Sequence, residues 1–287
     1  MTRNDFRLLH RLRVRWVEVD LQKIVFNGHY LMYFDTAMAD YWRALAIPYE
    51  DTMHQLGGDL YVKKASLEYH ASAQYDDRLE VGLRCQRIGN SSIQFVGGIF
   101  CGDQLLITGE LLYVYANPHT KTSMPVPQVL RETMLGFEEG QTVTTLETGS
   151  WSSLKDKAQP VRMQVFVQEQ GVDAQYELDA MDDGAVHAVV TNRLGQPLGT
   201  ARLFEKSPGV AQIGRMAVVR VMRGSGIGGD LLKALVDIAK ARGDKEVRLH
   251  AQCNAQAFYA RAGFVPVGDP FDEVGIAHIE MRKVLTL

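Results

Sequence analysis

The chain has 287 residues, of which 46% are hydrophobic and 23% charged, and a formal net charge of −3. That length accommodates two cores of about 100 to 200 residues each, and the composition excludes a disordered chain. The small net charge, without an acidic or basic tail, excludes a nucleic-acid footprint or a polyanionic partner.

Cys85, Cys101 and Cys253 are odd in number, widely separated and outside any metal-ligand spacing. The sequence therefore predicts free thiols, a cytoplasmic protein and no metal. Arg3, Arg7, Arg11, Arg13 and Arg15 interleave with apolar residues, and no continuous apolar run follows them. Neither a signal peptide nor a membrane span is expected.

Residues 8–19 alternate polar and apolar, which predicts a strand that gives way to a loop at Asp20-Leu21-Gln22-Lys23. From 28 to 45, Tyr30, Phe34, Ala37, Tyr41 and Leu45 recur at helical spacing, while Leu31, Met32, Met38 and Trp42 leave few polar faces. The expectation is a helix buried almost all round. After Gly57-Gly58-Asp59 come four strand-like runs, 60–69, 79–88, 91–100 and 104–116, the last three joined by short glycine turns into an antiparallel meander. A long buried helix wrapped by such a sheet is the hot-dog arrangement. Pro118, Pro125 and Pro127 end the regular structure, and 138–149 is polar and Thr-rich. This predicts a first domain over 1–137, a linker over 138–149 and a second domain over 150–287.

The second half alternates strands and helices. A helix is expected over 160–170 with Pro160 at its first position, then strands at 185–192, 198–204 and 211–218, a helix over 226–241, a strand at 247–252, a short helix over 255–261 and a last strand at 277–282. The pattern is a mixed α/β sheet with helices on its faces, which makes the whole chain α+β with two domains.

Arg223-Gly224-Ser225-Gly226-Ile227-Gly228-Gly229 lies between the strand ending at Val218 and the helix carrying Leu231, Leu232, Leu235 and Ile238. Glycines there can turn N–H groups toward one spot, and the helix dipole adds positive potential, so the turn suits a pyrophosphate. The pattern also serves as a plain tight connection. No Lys-Ser/Thr follows, so it is not a Walker A loop, and no acidic residue completes a dinucleotide fingerprint.

With Ile213-Gly214-Arg215-Met216-Ala217-Val218 before it, Leu249-His250-Ala251-Gln252 after it, and then the run Ala255-Gln256-Ala257-Phe258-Tyr259-Ala260-Arg261-Ala262-Gly263-Phe264, the turn resembles the core of the GNAT N-acetyltransferases. The resemblance extends upstream to Arg162, Glu169-Gln170 and Glu177-Leu178-Asp179 and covers about 151–287. It implies an acetyl-CoA or acyl-CoA substrate, with main-chain N–H groups of Arg223, Gly224, Gly226 and Gly228 on the pyrophosphate. Met216 and Val218 would meet the pantetheine arm, and Asn254 would join the coenzyme site. Tyr259 matches the tyrosine placed near the thioester sulfur; a phenol near pKa ~10 can serve a departing thiolate of pKa ~8.5. Because only a neutral amine attacks, a base is also needed. Glu177, His187 and His250 are the candidates, and Glu177 is the one named. The segment Phe271-Asp272-Glu273-Val274-Gly275-Ile276-Ala277-His278 stands near the acceptor end as substrate contact or loop architecture.

Asp20 precedes the first helix by seven residues. A carboxylate beside a helix N-terminus can activate water or attack a thioester while orphan N–H groups hold the oxyanion; a turn or capping aspartate is the alternative. Asp20 and the run Val25-Phe26-Asn27-Gly28-His29-Tyr30, with Ala65-Ser66-Leu67-Glu68-Tyr69, Asp76-Asp77-Arg78-Leu79 and Arg87-Ile88-Gly89-Asn90-Ser91-Ser92, resemble the 4-hydroxybenzoyl-CoA thioesterase type of hot-dog protein over about 6–129. That implies Asp20 as the catalytic carboxylate, the Asn27 N–H, with Gly28 beside it, polarising the thioester carbonyl, and a homo-oligomer joined through the hot-dog sheets. Lys23 stands where that family usually has glycine; it would crowd the acyl entrance or pair with Asp20. The leading expectation is a bifunctional acyl-CoA enzyme that hydrolyses a thioester in its first half and acylates an amine in its second. The alternative is a non-catalytic acyl-CoA-binding or dimerising first half that regulates the second.

Overall fold

In the computed structural model, which describes residues 1–286, the chain forms two compact units, Met1–Val143 and Thr144–Leu287. The first unit contains β1 (Leu8–Arg13), α1 (Asn27–Ala44), α2 (Tyr49–Leu56), β2 (Asp59–Tyr69), β3 (Arg78–Ile88), β4 (Ser92–Cys101), β5 (Gln104–Ala116) and α3 (Gln128–Glu138). Its five strands lie in the order β1-β3-β4-β5-β2, every neighbour antiparallel.

The helix α1 buries Tyr30, Tyr33, Phe34, Ala37, Met38, Tyr41 and Trp42. Their alternating spacing of three and one keeps them on one broad face. Leu31 and Met32 fall outside it and are exposed, so α1 is covered on one face and not all round. What lets it lie against the sheet is a pair of glycines: Gly97 of β4 and Gly109 of β5 are register partners. A Cβ on Gly97 would stand 2.3 Å from the Phe34 ring and one on Gly109 2.7 Å from it, and Phe34 itself is fully buried. This is the hot-dog arrangement.

The second unit contains β6 (Thr144–Gly149), α4 (Trp151–Arg162), β7 (Val186–Asn192), β8 (Pro197–Ser207), β9 (Val210–Val218), α5 (Ile227–Arg242), β10 (Glu246–Gln252), α6 (Gln256–Arg261), β11 (Val265–Glu273) and β12 (Ile276–Val284). The sheet runs β11-β12-β10-β9-β8-β7-β6, and only β9 and β10 pair in parallel. This is the mixed sheet of the GNAT architecture.

Several elements depart from the sequence expectation. The first strand stops at Arg13, before a short turn at Trp16–Glu18. Residues 138–149 are not an unstructured linker: Glu138 ends α3, and Thr144–Gly149 pairs with β7 as an edge strand. The helix expected from Pro160 begins nine residues earlier, at Trp151, because Trp151, Leu154 and Ala158 pack on Val189. Pro160 therefore sits inside α4, where it donates no hydrogen bond. The helix widens to π geometry over Met163–Glu169 just beyond. β11 covers residues to which the sequence assigns no strand, including the start of the 271–278 segment. Among the described residues, no helix is long and apolar enough to cross a membrane.

Since Phe34 has no room to withdraw, Gly97→Ala is expected to cost about 1–3 kcal/mol of stability, the usual range for an overpacked core. Chemical denaturation measures it, and Phe34→Leu in the same chain should recover part of the loss by coupling with the new methyl group.

Candidate functional site

In the second unit, β9 and β10 pair only from Val210–Glu246 to Ile213–Leu249. Beyond that point β9 follows β8 instead, through a bulge: Arg202 opposes Gly214 and Thr200 opposes Ala217, so Arg215 and Met216 are both set against Ala201. Arg215 holds φ at 49°, a left-handed value that is uncommon for a non-glycine residue. Its guanidinium fixes it there: Nη2 donates to Tyr176 O (2.7 Å) and Asp179 Oδ2 (3.0 Å), and Nε donates to Glu177 O (3.1 Å). The parting strands enclose a cavity of about 470 Å³ that reaches Tyr259, His250 and Glu273. A second cavity of about 580 Å³ runs to Gly224, Gly226 and Gly228. Met216, Ala217, Val218, Arg223, Ala255 and Tyr259 line both, so the two form one groove.

At the glycine turn, Gly224 and Gly226 have φ of 87° and 94°, which glycine adopts at little cost. Gly226 caps α5 without a side chain. The N–H groups of Gly224, Gly226 and Gly228 have no acceptor among the described residues. Arg223 differs from the expectation, because its N–H donates to Arg220 O (3.2 Å) and is not free for a phosphate. Its guanidinium instead bridges two segments of the chain. Nε donates to Val218 O (3.1 Å), while Nη1 and Nη2 form a bidentate pair with Glu169 (2.7 Å each), a contact between distant segments that no spacing announced. Asn254 is exposed and lines the same cavity as Tyr259 and His250. The Tyr259 hydroxyl donates to Met216 Sδ (3.5 Å), and burial pushes its pKa up to about 12.

The three candidate bases separate. Glu177 is buried, with Oε1 on Arg162 Nε and its carbonyl accepting from Arg162 Nη2 (2.6 Å). It belongs to an ion network in which Arg162 Nη1 also donates to Asp182 (2.8 Å), while Arg202 joins Asp182 (2.7 Å) to Asp179 (2.6 Å). That pair sets Glu177 against a fully buried arginine and leaves it outside the cavity that holds Tyr259. His187 is fully buried beneath Trp151, its Nε2 against Asp182 O (3.0 Å). Burial lowers its pKa. His250 alone lines the cavity together with Tyr259.

In the first unit, the Asp20 loop is a tight hairpin. Asp20 N donates to Ile24 O (2.9 Å), Lys23 N donates to Asp20 O (3.0 Å), and Gln22 N donates to Asp20 Oδ1 (2.8 Å). Lys23 holds φ at 64°, the conformation that explains why glycine suits this place. Its side chain is exposed, and among the described residues it forms no ion pair with Asp20. Buried Glu18 anchors the loop: it accepts from Arg15 N (2.7 Å) and Tyr33 Oη (2.9 Å), and its carbonyl accepts from Phe26 N (3.0 Å). The N-cap Phe26 supplies no side-chain acceptor, so the N–H groups of Asn27 and Gly28 have no partner among the described residues.

Burial alone would raise the Asp182 carboxyl, but hydrogen bonds from Arg162 and then Arg202 hold it below the usual carboxylate range. A lowered folded pKa contributes stability above the unfolded value of ~3.9 and loses it as pH falls. The second unit should therefore lose stability below about pH 4. In Asp182→Asn, thermal melts should show a shallower acid limb.

Residues 22–114 match the thioesterase superfamily, and residues 154–285 match the acetyltransferase (GNAT) domain. The uncharacterised N-acetyltransferase YjcF of Bacillus subtilis (strain 168) is 35% identical over 124 residues, which cover 43% of this chain and 87% of that protein. An acyl-CoA N-acyltransferase from Pseudomonas aeruginosa is 31% identical, with 49% of this chain and 99% of that one covered and a TM-score of 0.45. A 1,4-dihydroxy-2-naphthoyl-CoA thioesterase from Synechocystis is 18% identical, with 44% and 94% covered and a TM-score of 0.41. The chain thus belongs to the GNAT acetyltransferase family through its second unit and carries ahead of it a domain of the thioesterase superfamily.

Proposed function

We propose that the chain is a bifunctional acyl-CoA enzyme: the second unit transfers an acetyl or other acyl group from CoA to an amine, and the first hydrolyses an acyl thioester. The observation that carries the transferase reading is the continuous groove from the free N–H groups of Gly224, Gly226 and Gly228 to Tyr259. The pyrophosphate would lie on those N–H groups and on the N-terminus of α5. The pantetheine arm would follow the bulge at Met216 and run on past Val218, which pairs with Gly199 and whose carbonyl accepts from Arg223 Nε (3.1 Å); that path would bring the thioester to Tyr259. A phenol pushed up to about 12 stays protonated at neutral pH. Full proton transfer from it to a thiolate of pKa ~8.5 runs uphill, so Tyr259 acts as a hydrogen-bond donor to the departing sulfur.

The hydrolase reading rests on Asp20 in its hairpin and on the free N–H groups of Asn27 and Gly28 at the start of α1. Those donors suit a carbonyl oxygen that gains negative charge under attack. Trp16, Leu21 and Phe26, around this loop, are 75%, 102% and 52% exposed. Such apolar exposure supports apposition of a second copy, so that this unit is also the oligomerising one. Cys85, Cys101 and Cys253 are free thiols, which supports residence in the cytoplasm.

Tyr259→Phe should lower the acyl-transfer kcat about 100-fold, with acetyl-CoA affinity by calorimetry nearly unchanged. Asp20→Ala should lower hydrolysis of an acyl-CoA panel by at least about 100-fold without affecting transfer. Equal hydrolysis by wild type and Asp20→Ala would leave the first unit a binding or dimerising module.

A further inference from the structure

The groove holds more ionisable chemistry than coenzyme binding uses, and its charges are unevenly committed. Of the arginines that line it, Arg202 pairs with Asp179 and Asp182, Arg215 with Asp179, and Arg223 with Glu169, while Arg261, beside the glycine turn, has no ion pair among the described residues. The acids are less occupied. Glu273, at the end of β11, accepts from His250 Nδ1 through Oε2 (2.9 Å), and its Oε1 has no hydrogen-bond partner among the described residues. Glu177 keeps a buried Oε2 without a partner. Both acids line a recess of about 160 Å³ that shares Phe166, Gln170, Arg215, Gln252 and His278 with the thioester cavity. The rest of its wall is largely apolar, from Val172, Tyr176, Val274 and Ile276. Glu177 is already paired with Arg162, whereas Glu273 is partly exposed and has no lysine or arginine partner among the described residues; an anionic carboxylate beside an apolar wall suits a cation on an apolar stem.

We propose that the acyl acceptor is a primary amine on an apolar stem, which enters as its ammonium, is held by Glu273 and gives its proton to His250 Nε2. The assignment rests on the acyltransferase reading above and supplies the base which that reading lacks. The hydrogen bond between His250 Nδ1 and Glu273 fixes the imidazole tautomer with the proton on Nδ1, which leaves the Nε2 lone pair as acceptor. Nε2 has no hydrogen-bond partner among the described residues; the nearest acid to it is Glu280, Oε2 at 3.9 Å. The acids within 4 Å of the imidazole are Glu273 from β11 and Glu280 from β12, and the other titratable groups that line the same cavity are His278 from β12, Arg202 from β8, Arg215 from β9, Arg223 from the glycine turn and Tyr259 from α6. Phe271 stands edge-on to His250, with centroids 5.0 Å apart and an interplanar angle of 80°, and itself stacks on His278, so the imidazole is oriented by Phe271 and by its hydrogen bond to Glu273. The His250 hydrogen bond also holds the Glu273 carboxyl below its ordinary value, which keeps it anionic and able to attract an ammonium.

The step balances. The ammonium loses one proton to His250 Nε2, and the nitrogen lone pair attacks the thioester carbonyl carbon to form the C–N bond. The C–S bond breaks with its electron pair on sulfur. The nitrogen sheds a second proton, the CoA thiolate takes one up, and the imidazolium returns its proton to water. The products are the amide, free CoA and one proton.

The test follows thiol release from acetyl-CoA with phenethylamine, spermidine and glycine, across pH, in the wild type, His250→Gln and Glu273→Gln. Phenethylamine should exceed glycine in kcat/KM by at least about 10-fold, because a carboxylate beside the amine meets Glu273; the reverse order overturns the substrate class. His250→Gln should lose about 100-fold in kcat near neutrality and regain rate as pH approaches the amine's own pKa, where the free base forms in solution. Glu273→Gln should raise the amine KM about 10-fold while the acetyl-CoA Kd holds, a readout that stands even if the histidine variant folds poorly. Transfer by His250→Gln at the wild-type rate with the wild-type pH profile overturns the base and leaves the acyltransferase intact. Transfer by the wild type to none of the three amines, with acetyl-CoA bound, overturns the acyltransferase reading and this assignment with it.

Discussion

The site in the second unit exists because β9 and β10 stop pairing after Ile213 and Leu249. Two parallel strands that stayed paired would leave no main chain free and no cavity between them. The bulge at Arg215 and Met216 turns β9 away, and a left-handed arginine is an expensive way to build it, about 1–2 kcal/mol in backbone conformation alone. The buried ion network holds that conformation. Arg162 and Arg202 order Glu177, Asp179 and Asp182, and the carbonyls and carboxylate of that same segment then receive the Arg215 guanidinium. The network is weak support for stability by itself. Its value lies in position, since the strain at one residue is offset by hydrogen bonds that only a correctly folded 176–182 segment can offer.

The first unit meets the opposite problem, a tight approach. A helix on a sheet ordinarily stands off by the height of two layers of side chains; here one ring does the packing for both, and two paired glycines make room for it. The wide aromatic stripe of α1 continues the theme, with Tyr41 edge-on to Phe95 and Phe137 at 5.3 and 5.7 Å. Burial raises the Tyr41 hydroxyl well above its ordinary value, and that hydroxyl donates to Glu138 (2.6 Å), which also receives Cys85 N (2.7 Å). Thus α3 is tied to the central helix and to β3 through one carboxylate.

Local signals made much of this legible. The glycine turn, the Tyr259 helix and the strand alternation of both sheets depend on neighbours in the chain, so a sequence reports them. Non-local choices were hidden. The start of α4 at Trp151 depends on Val189 across the sheet, and Pro160 was the stronger local cue but the weaker determinant. Thr144–Gly149 looks like a linker because an exposed edge strand needs few apolar residues, and only pairing with β7 makes it a strand. The pairing of His250 with Glu273 joins β10 to the end of β11 across a sequence separation of 23, and nothing between them announces it. Glu177 attracted attention as an acid near the right place; the arginine that claims it lies 15 residues upstream, on a helix whose register the sequence misplaced.

Free helix N-termini recur in both units, but their presence does not by itself mark a site. None of α1, α2, α3 and α5 has a side-chain N-cap. At α2 and α3 the capping place is a proline, whose rigid φ starts the helix where a side-chain cap is absent. At α1 and α5 it is Phe26 and Gly226, and the missing cap forgoes about 1 kcal/mol that serine or aspartate would supply. What separates these two is company. The α1 donors follow directly on a hairpin pinned by buried Glu18 that presents Asp20, and the α5 donors end a groove between parted strands. In each unit the forgone cap leaves N–H groups without a partner among the described residues, and the neighbouring geometry differs: a hairpin that presents a carboxylate in the first, the end of a groove between parted strands in the second.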